Sequence, residues 1–243
     1  ELERQGSLKA EFIAIMAHEL RTPLTSIVGY VELFKEGRFG EAPAAMQRPL
    51  AALQRNANRL KRLVEEMLEV GRIDAGRITL RAAPLVLSEV VTEVVNELSP
   101  MALTKQLEVT THIAVAGRLT GDRDKLHRIV VNLLSNAIRY TPAGGAIKVM
   151  LDEAPPQQFA GNWLRLRVHD TGVGIPEEHR SRIFEPFTDV APSKHHTSTG
   201  PDSAGLGLYI SRGLIEAHGG IISVDSHVGK FTEFTVLLPL PAE

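Results

Sequence analysis

Four short stretches of the chain hold residues whose types and spacing can carry chemistry. In "MAHELRTPLTSIVGY" (Met16–Tyr30), His18 offers an imidazole, which is a competent nucleophile when neutral at physiological pH. Arg21 and Thr22 follow it at i+3 and i+4, one helical turn on. In "NLLSNAIRYTPAGG", Asn132, Asn136, Arg139 and Tyr140 recur at i, i+4, i+7 and i+8, so all four share one helix face. Amide oxygens suit a hard cation such as Mg²⁺, a guanidinium pairs with phosphate oxygens, and a phenol ring can lie against a base. The same spacing also describes the solvated side of an ordinary helix. In "RLRVHDTGVGIP", Asp170 has the parity of Leu164, Leu166 and Val168, which puts a carboxylate on the buried side of a strand. There it needs a donor, and the exocyclic amine of an adenine is one. Gly172 and Gly174 then let the backbone turn tightly beside a ligand, although an Asp-Gly turn after a strand is common by itself. In "AGLGLYIS", Gly205, Leu206, Gly207 and Leu208 open a helix, where free N–H groups and the helix dipole attract phosphate.

The elements that must position these residues follow from the periodicity. Of 243 residues, 43% are hydrophobic, enough for one large core or two small ones, and the formal charge of −2 offers no polybasic field for nucleic acid. There is no cysteine, hence no disulfide framework or thiolate metal site, a composition that fits a reducing compartment. No apolar run reaches about 18 residues, the length a membrane span needs. Ile13, Ala17, Leu20, Leu24, Ile27, Val31 and Phe34 step by fours and threes, and so do Leu50, Leu53, Ala57, Leu60, Val64, Met67 and Gly71. "EGRFGEAP" (Glu36–Pro43) reads as the connection between the two helices. Such seams are not fully buried by two helices alone. A homodimer building a four-helix bundle would bury them; packing on the chain's own second half is the alternative.

From "IDAGRITLRAAP" (Ile73–Pro84) the helical period fails and the composition turns to mixed α and β. Leu87–Leu98, Asp124–Arg139 and Leu206–Ala217 read as helices. Leu107–Ala114, Ile147–Leu151 and Leu164–Val168 read as strands, and Ile221–Val224 with Phe231–Leu238 as a hairpin around "SHVGK". Asp189–Ala204, rich in Ser, Thr, Pro and Gly, reads as a mobile loop.

Taken in order, "NLLSNAIRYTPAGG", "DTGVGI", "FEPF" and "GLGLYI" resemble the N, G1, F and G2 boxes of the ATP-binding domain of sensor histidine kinases. "MAHELRTPL" resembles the H box of the dimerisation domain that precedes it. The resemblance covers essentially the whole chain, in family order and spacing. It implies an α plus α/β architecture: a helical hairpin forming a dimeric four-helix bundle over residues 1–76, then an α/β-sandwich ATP-binding domain over 77–243.

By the same resemblance, His18 attacks the γ-phosphate of ATP, Glu19 holds the other ring N–H and acts as general base, and Thr22 orients water when a regulator is dephosphorylated. Arg21 either meets phosphate or pairs with a carboxylate. Asn136 matches the Mg²⁺-coordinating asparagine, with Asn132 in support. Arg139 falls where a basic residue meets the phosphates, and Tyr140 where an aromatic flanks the adenine. Asp170 matches the adenine-reading carboxylate. Gly172, Gly174, Gly205 and Gly207, with Leu206 and Leu208 between and beyond, match the nucleotide pocket, and Phe184 and Phe187 the aromatics that anchor its lid. The chain departs from the family pattern at Ser203, Asp189 and Phe231, where a glycine, a lid arginine and another glycine are common. Lys194, His195 or His196 is a substitute source of lid charge, or simply solvated.

The implied partners are a second copy of the chain and the receiver domain of a response regulator, whose aspartate takes the phosphoryl group. Two readings compete. One is an ATPase or serine-directed kinase of the same superfamily; the other is a dimeric module without catalysis. The charged start "ELERQGSLKAEF" lacks an initiator Met and suggests an excised, cytoplasmic portion, with any membrane anchor in the missing N-terminal region. Pro23 interrupts the histidine helix at a cost of about 3 kcal/mol, which is the expected source of a bend that moves His18.

Overall fold

A computed structural model describes residue 20 and residues 22–40, 43–154, 162–188 and 205–240. His18, Glu19, Arg21, Asp189, Lys194, His195, His196 and Ser203 lie outside the described residues. The chain divides into two compact units between Arg77 and Ile78.

The first unit is helical. Residues 20 and 22–35 form the described part of α1, and α2 runs Ala44–Asp74. Between them Gly37 and Gly40 adopt positive φ, which only glycine takes without strain. Pro49 lies in the second turn of α2 and costs it one backbone hydrogen bond, yet the helix continues through it. Lys35 Nζ donates to Gln54 Oε1 at 2.7 Å, tying the two helices together. The predicted seams are buried in alternation. Leu24 and Val31 on α1, and Leu50, Ala57 and Val64 on α2, are buried at every seventh residue. Leu20, Ile27 and Phe34, and Leu53, Leu60 and Met67, are exposed at the intervening positions. Each helix therefore spends half of its stripe inside the chain and presents the other half outward.

The second unit begins with β1 (Ala83–Val86), which pairs antiparallel with β3 (Arg118–Gly121) in a two-stranded sheet. The sequence pattern does not foretell β3, because its strand character comes from partners 32 to 38 residues away. The main sheet has the order β2-β4-β5-β7-β6, with β2 (Glu108–Ile113), β4 (Ala146–Glu153), β5 (Trp163–Asp170), β6 (Ile221–His227) and β7 (Phe231–Pro239). Only β2 and β4 run parallel; every other neighbouring pair is antiparallel. Three helices pack side by side and onto this sheet: α3 (Leu87–Thr104), α4 (Arg123–Tyr140) and α6 (Gly207–Ala217). α5 (Glu177–Arg180) is a single turn.

The core lies between the two layers. Leu126, Ile129, Val130, Leu133 and Ala137, the predicted apolar stripe of α4, are all buried, as are Ile147, Val149, Leu151, Leu164, Leu166 and Val168 from the strands. α3 continues past its predicted end at Leu98, through Pro100. Pro100 has no N–H for the carbonyl of Asn96, and the Ser99 hydroxyl donates to that carbonyl instead, at 2.9 Å. α4 is capped by Asp122, whose carboxylate accepts from the backbone N–H of Lys125 at 3.2 Å and of Arg81 at 2.9 Å. Burial raises the pKa of Asp122, but these bonds outweigh it and hold the carboxyl below its ordinary range. No described helix is long and apolar enough to cross a membrane.

Candidate nucleotide-binding site

The end of β5 supplies the most perturbed acid of the second unit. Asp170 is 3% exposed, on the inward face with Leu164, Leu166 and Val168, as its parity predicts. Its Oδ1 accepts from the backbone N–H of Gly172 at 2.8 Å. Burial pushes its pKa up to about 6; the Gly172 bond, and then the Thr141 hydroxyl, act in the opposite direction but only in part. At pH 7.5 the group is a buried carboxylate served by two neutral donors, fewer than the lone pairs of its two oxygens. It presents an acceptor suited to a neutral donor on a flat ligand.

The glycines around it are defined by close backbone approaches. A Cβ on Gly172 would lie 2.4 Å from Asp170 Oδ1 and 2.8 Å from the Tyr140 carbonyl oxygen, so this turn joins the end of β5 to the end of α4. Val173 N–H donates to the same Tyr140 carbonyl at 3.2 Å. Gly174, at φ +71°, packs against the His227 carbonyl, 2.3 Å from where its Cβ would be. Gly229 N–H donates to the Val173 carbonyl at 2.8 Å, and Ile175 N–H to Ser226 Oγ at 2.8 Å. The glycine loop after β5 is thus pinned to the β6–β7 hairpin, and Gly174 serves that junction.

The helix-opening glycines do the same on the other side. Gly205, at φ +69°, sits against the backbone of Phe187 and Thr188. Gly207 sits against Asn132, whose Oδ1 would be 2.3 Å from an added Cβ. Asn132 Nδ2 donates to Ser211 Oγ, a buried hydroxyl on α6, at 2.8 Å. Asn132 therefore holds α4 to the start of α6. Leu206 is buried and Leu208 half-buried.

One turn along α4, half-buried Asn136 shows no side-chain partner among the described residues. Arg139 is exposed, with its guanidinium 5.4 Å from the centroid of the half-buried Tyr140 ring. The described part of the second unit thus brings Asn132, Asn136, Arg139, Tyr140, Asp170, Gly172, Gly205 and Gly207 into one neighbourhood of three converging segments. Phe184 packs edge-on against Phe234, with ring centroids 6.4 Å apart. Phe187 is exposed, with φ +62°. Phe231, one of the departures from the family pattern, opens β7 and stacks on His169 at 5.4 Å. Thr22 is exposed on α1, in the other unit. Sequence reasoning missed Thr141, Ser211 and Ser226, three buried hydroxyls. Thr141 alone carried a local signal, a hydrogen-bonding residue between a helix end and Pro142.

Two family models match the chain. HisKA, the His Kinase A (phospho-acceptor) domain, matches residues 8–76. HATPase_c, the histidine kinase-, DNA gyrase B- and HSP90-like ATPase, matches residues 121–242. The circadian input-output histidine kinase CikA of Synechococcus elongatus is 31% identical over 96% of this chain and 30% of its own length. The sensor protein GacS of Pseudomonas syringae pv. syringae is 34% identical over 96% of this chain and 25% of its own length. The sensor protein SrrB of Staphylococcus aureus is 33% identical over 96% of this chain and 38% of its own length. The chain thus spans between a quarter and two-fifths of these relatives. The crystal structure of full-length ShkA in complex with AMPPNP matches with a TM-score of 0.80 and 28% identity, over 97% of this chain and 47% of that one. The Acinetobacter baumannii histidine kinase AdeS has the same fold, with a TM-score of 0.62 and 21% identity over 93% of this chain and 98% of that one. An H-box helical region followed by an ATPase-type α/β sheet, with the family boxes in order, makes the chain a member of the sensor histidine kinases, carrying their catalytic core.

Proposed function

We propose that this chain autophosphorylates on His18 with ATP and passes the phosphoryl group to an aspartate of a response regulator. The observation that carries the nucleotide half is Asp170, a buried, proton-hungry carboxylate at the meeting point of α4 and the glycine turns. On this reading it accepts from the adenine amine, Tyr140 lies along the base, and Arg139 meets the phosphates. Asn136 fits a Mg²⁺ site: a hard amide oxygen, unengaged by described residues, on the face shared with Arg139 and Tyr140. Magnesium held there would offset the negative charge of the triphosphate. His18 Nε2 or Nδ1 bonds to the γ-phosphorus as the bond to the β–γ bridging oxygen breaks, with ADP leaving. Glu19 accepts the other ring N–H and so sets the tautomer. A phosphoryl group on nitrogen remains transferable to a carboxylate. Thr22, one turn beyond His18, orients the water of a secondary phosphatase reaction on the regulator.

We assign the phosphotransfer hairpin to residues 1–76 and ATP binding to 77–243, because α3 and β2 belong to the second core although they precede the matched ATPase segment. The outward half of each seam supports a homodimer. Leu20, Ile27, Leu53, Leu60 and Met67 form the kind of stripe that two copies bury in a four-helix bundle. Incubation with γ-labelled ATP is the test. Acid-labile, base-stable label that disappears in His18→Gln supports the reading. Acid-stable label, or label that survives the substitution, overturns it.

A further inference from the structure

The last turn of α4 carries Arg139 and Tyr140, and its four final carbonyls need donors that the helix cannot supply. Each has one. Thr141 N–H donates to the Ala137 oxygen at 3.0 Å. Val173 N–H donates to the Tyr140 oxygen. The two between, Ile138 and Arg139, both accept from one side chain: Lys105 Nζ, at 2.8 and 2.7 Å. An ammonium on a helix C-terminus also meets the negative end of the dipole.

Lys105 comes from elsewhere in the chain, and its backbone is built to aim it. It is the C-cap residue of α3. Gln106 N–H donates to Leu103 O and Leu107 N–H to Ala102 O, both at 2.9 Å, the paired closure that reverses a chain at a helix end. That closure requires a left-handed residue, and here it is Gln106, at φ +58°, rather than a glycine. A side-chain-bearing residue is disfavoured in this region, so the reversal is held against its local preference. Burial lowers the pKa of Lys105, in keeping with an ammonium drawn against protein.

We infer that Lys105 is a positioning residue for nucleotide: its ammonium clamps the C-terminal turn of α4 so that Arg139 and Tyr140 are presented to the ligand. This rests on the reading of that turn as part of the ATP site. The clamp touches no reacting atom, so its loss falls on binding. Lys105→Met keeps the chain length and removes the charge; nucleotide Kd and the KM for ATP rise about tenfold, the loss expected for a charge-assisted bond. kcat for autophosphorylation stays near that of the parent.

Because the chain has no cysteine, Lys105→Cys creates a single thiol, and alkylation with 2-bromoethylamine restores an ammonium at nearly the original reach. The measurements are AMPPNP binding with Mg²⁺ by calorimetry, autophosphorylation kinetics, and amide exchange of the segment from Ala137 to Thr141. Lys105→Met and unmodified Lys105→Cys should show weaker binding and faster exchange, and aminoethylation should restore both. The inference is overturned if Lys105→Met binds within twofold of the parent, if aminoethylation fails to rescue, or if kcat falls while KM holds. Should Lys105→Met fold poorly, the comparison of alkylated with unalkylated Lys105→Cys decides by itself. Failure of the ATP-site reading would appear in the parent chain, as an absence of AMPPNP binding, while the exchange comparison still reads the clamp.

Discussion

Asp170→Asn separates a binding role from a structural one, because the two predict opposite signs. The carboxylate is 3% exposed and its pKa stands at about 6 against an ordinary 3.8. At about 1.4 kcal/mol for each tenfold change in proton affinity, about 3 kcal/mol is spent in the folded chain on keeping this group charged at neutral pH. The sign follows from proton counting: between about pH 4 and 6 the folded chain holds the proton that the unfolded chain releases. Stability from this group is therefore greatest below about pH 4, falls as the pH rises to about 6, and is flat above. Asparagine removes the charge, so the ligand-free variant should melt no lower than the parent at pH 7.5, and higher if its amide pairs well. Binding moves the other way. The one amide oxygen of the substituted side chain is claimed by the Gly172 N–H, 2.8 Å from the present Oδ1, leaving an NH₂ to face the adenine amine, donor against donor. Loss of a charge-assisted bond and a mispaired donor cost about 3 kcal/mol, roughly a hundredfold in Kd. Calorimetry with AMPPNP and Mg²⁺ at pH 7.5, beside a thermal melt, reads both signs at once. A variant that binds within threefold of the parent, or that loses affinity only in step with a lower melting temperature, refutes the assignment of Asp170 to the base.

The same carboxylate gives a pH profile. Adenosine, which has no phosphates to titrate, should bind about tenfold more weakly for each pH unit below 6 and with constant affinity above; a flat profile from pH 5 to 7 counts against a charged acceptor. Leu60→Glu, at an exposed seam position, should weaken the dimer by about 2 kcal/mol per protomer while leaving AMPPNP affinity unchanged. Light scattering across a dilution series measures it, and an unaltered dimer would show that this stripe is not the interface. Pro23→Ala should stiffen α1 and shift the balance between phosphorylation of His18 and dephosphorylation of the regulator; if both rates are unchanged, the proline is not the point of bending.

What the sequence made legible was whatever a short window decides. The α4 stripe repeats with a helical period and is preceded by an aspartate that caps it, so its predicted span, Asp124–Arg139, differs from the observed helix by one residue at each end. The parity of Asp170 places it on the buried face, and a strand enforces that parity over a few residues. The glycines were legible as glycines but not by their reasons. Gly174 meets His227, Gly205 meets Thr188, and Gly207 meets Asn132, so that each absent side chain is explained by a residue 17 to 75 positions away. Lys105 is the sharper case. Nothing in "LTKQLE" marks it apart from any other polar helix end, since the carbonyls it serves belong to residues 33 and 34 positions on. The helical seams mark a second boundary of this kind. A heptad pattern names the apolar positions, but which half turns inward is a matter of helix rotation, set by the packing of whole helices. The burial of Leu24, Leu50, Ala57 and Val64 settles that rotation, and it leaves Leu20, Leu53, Leu60 and Met67 as the half for which this chain alone has no partner surface among its described residues.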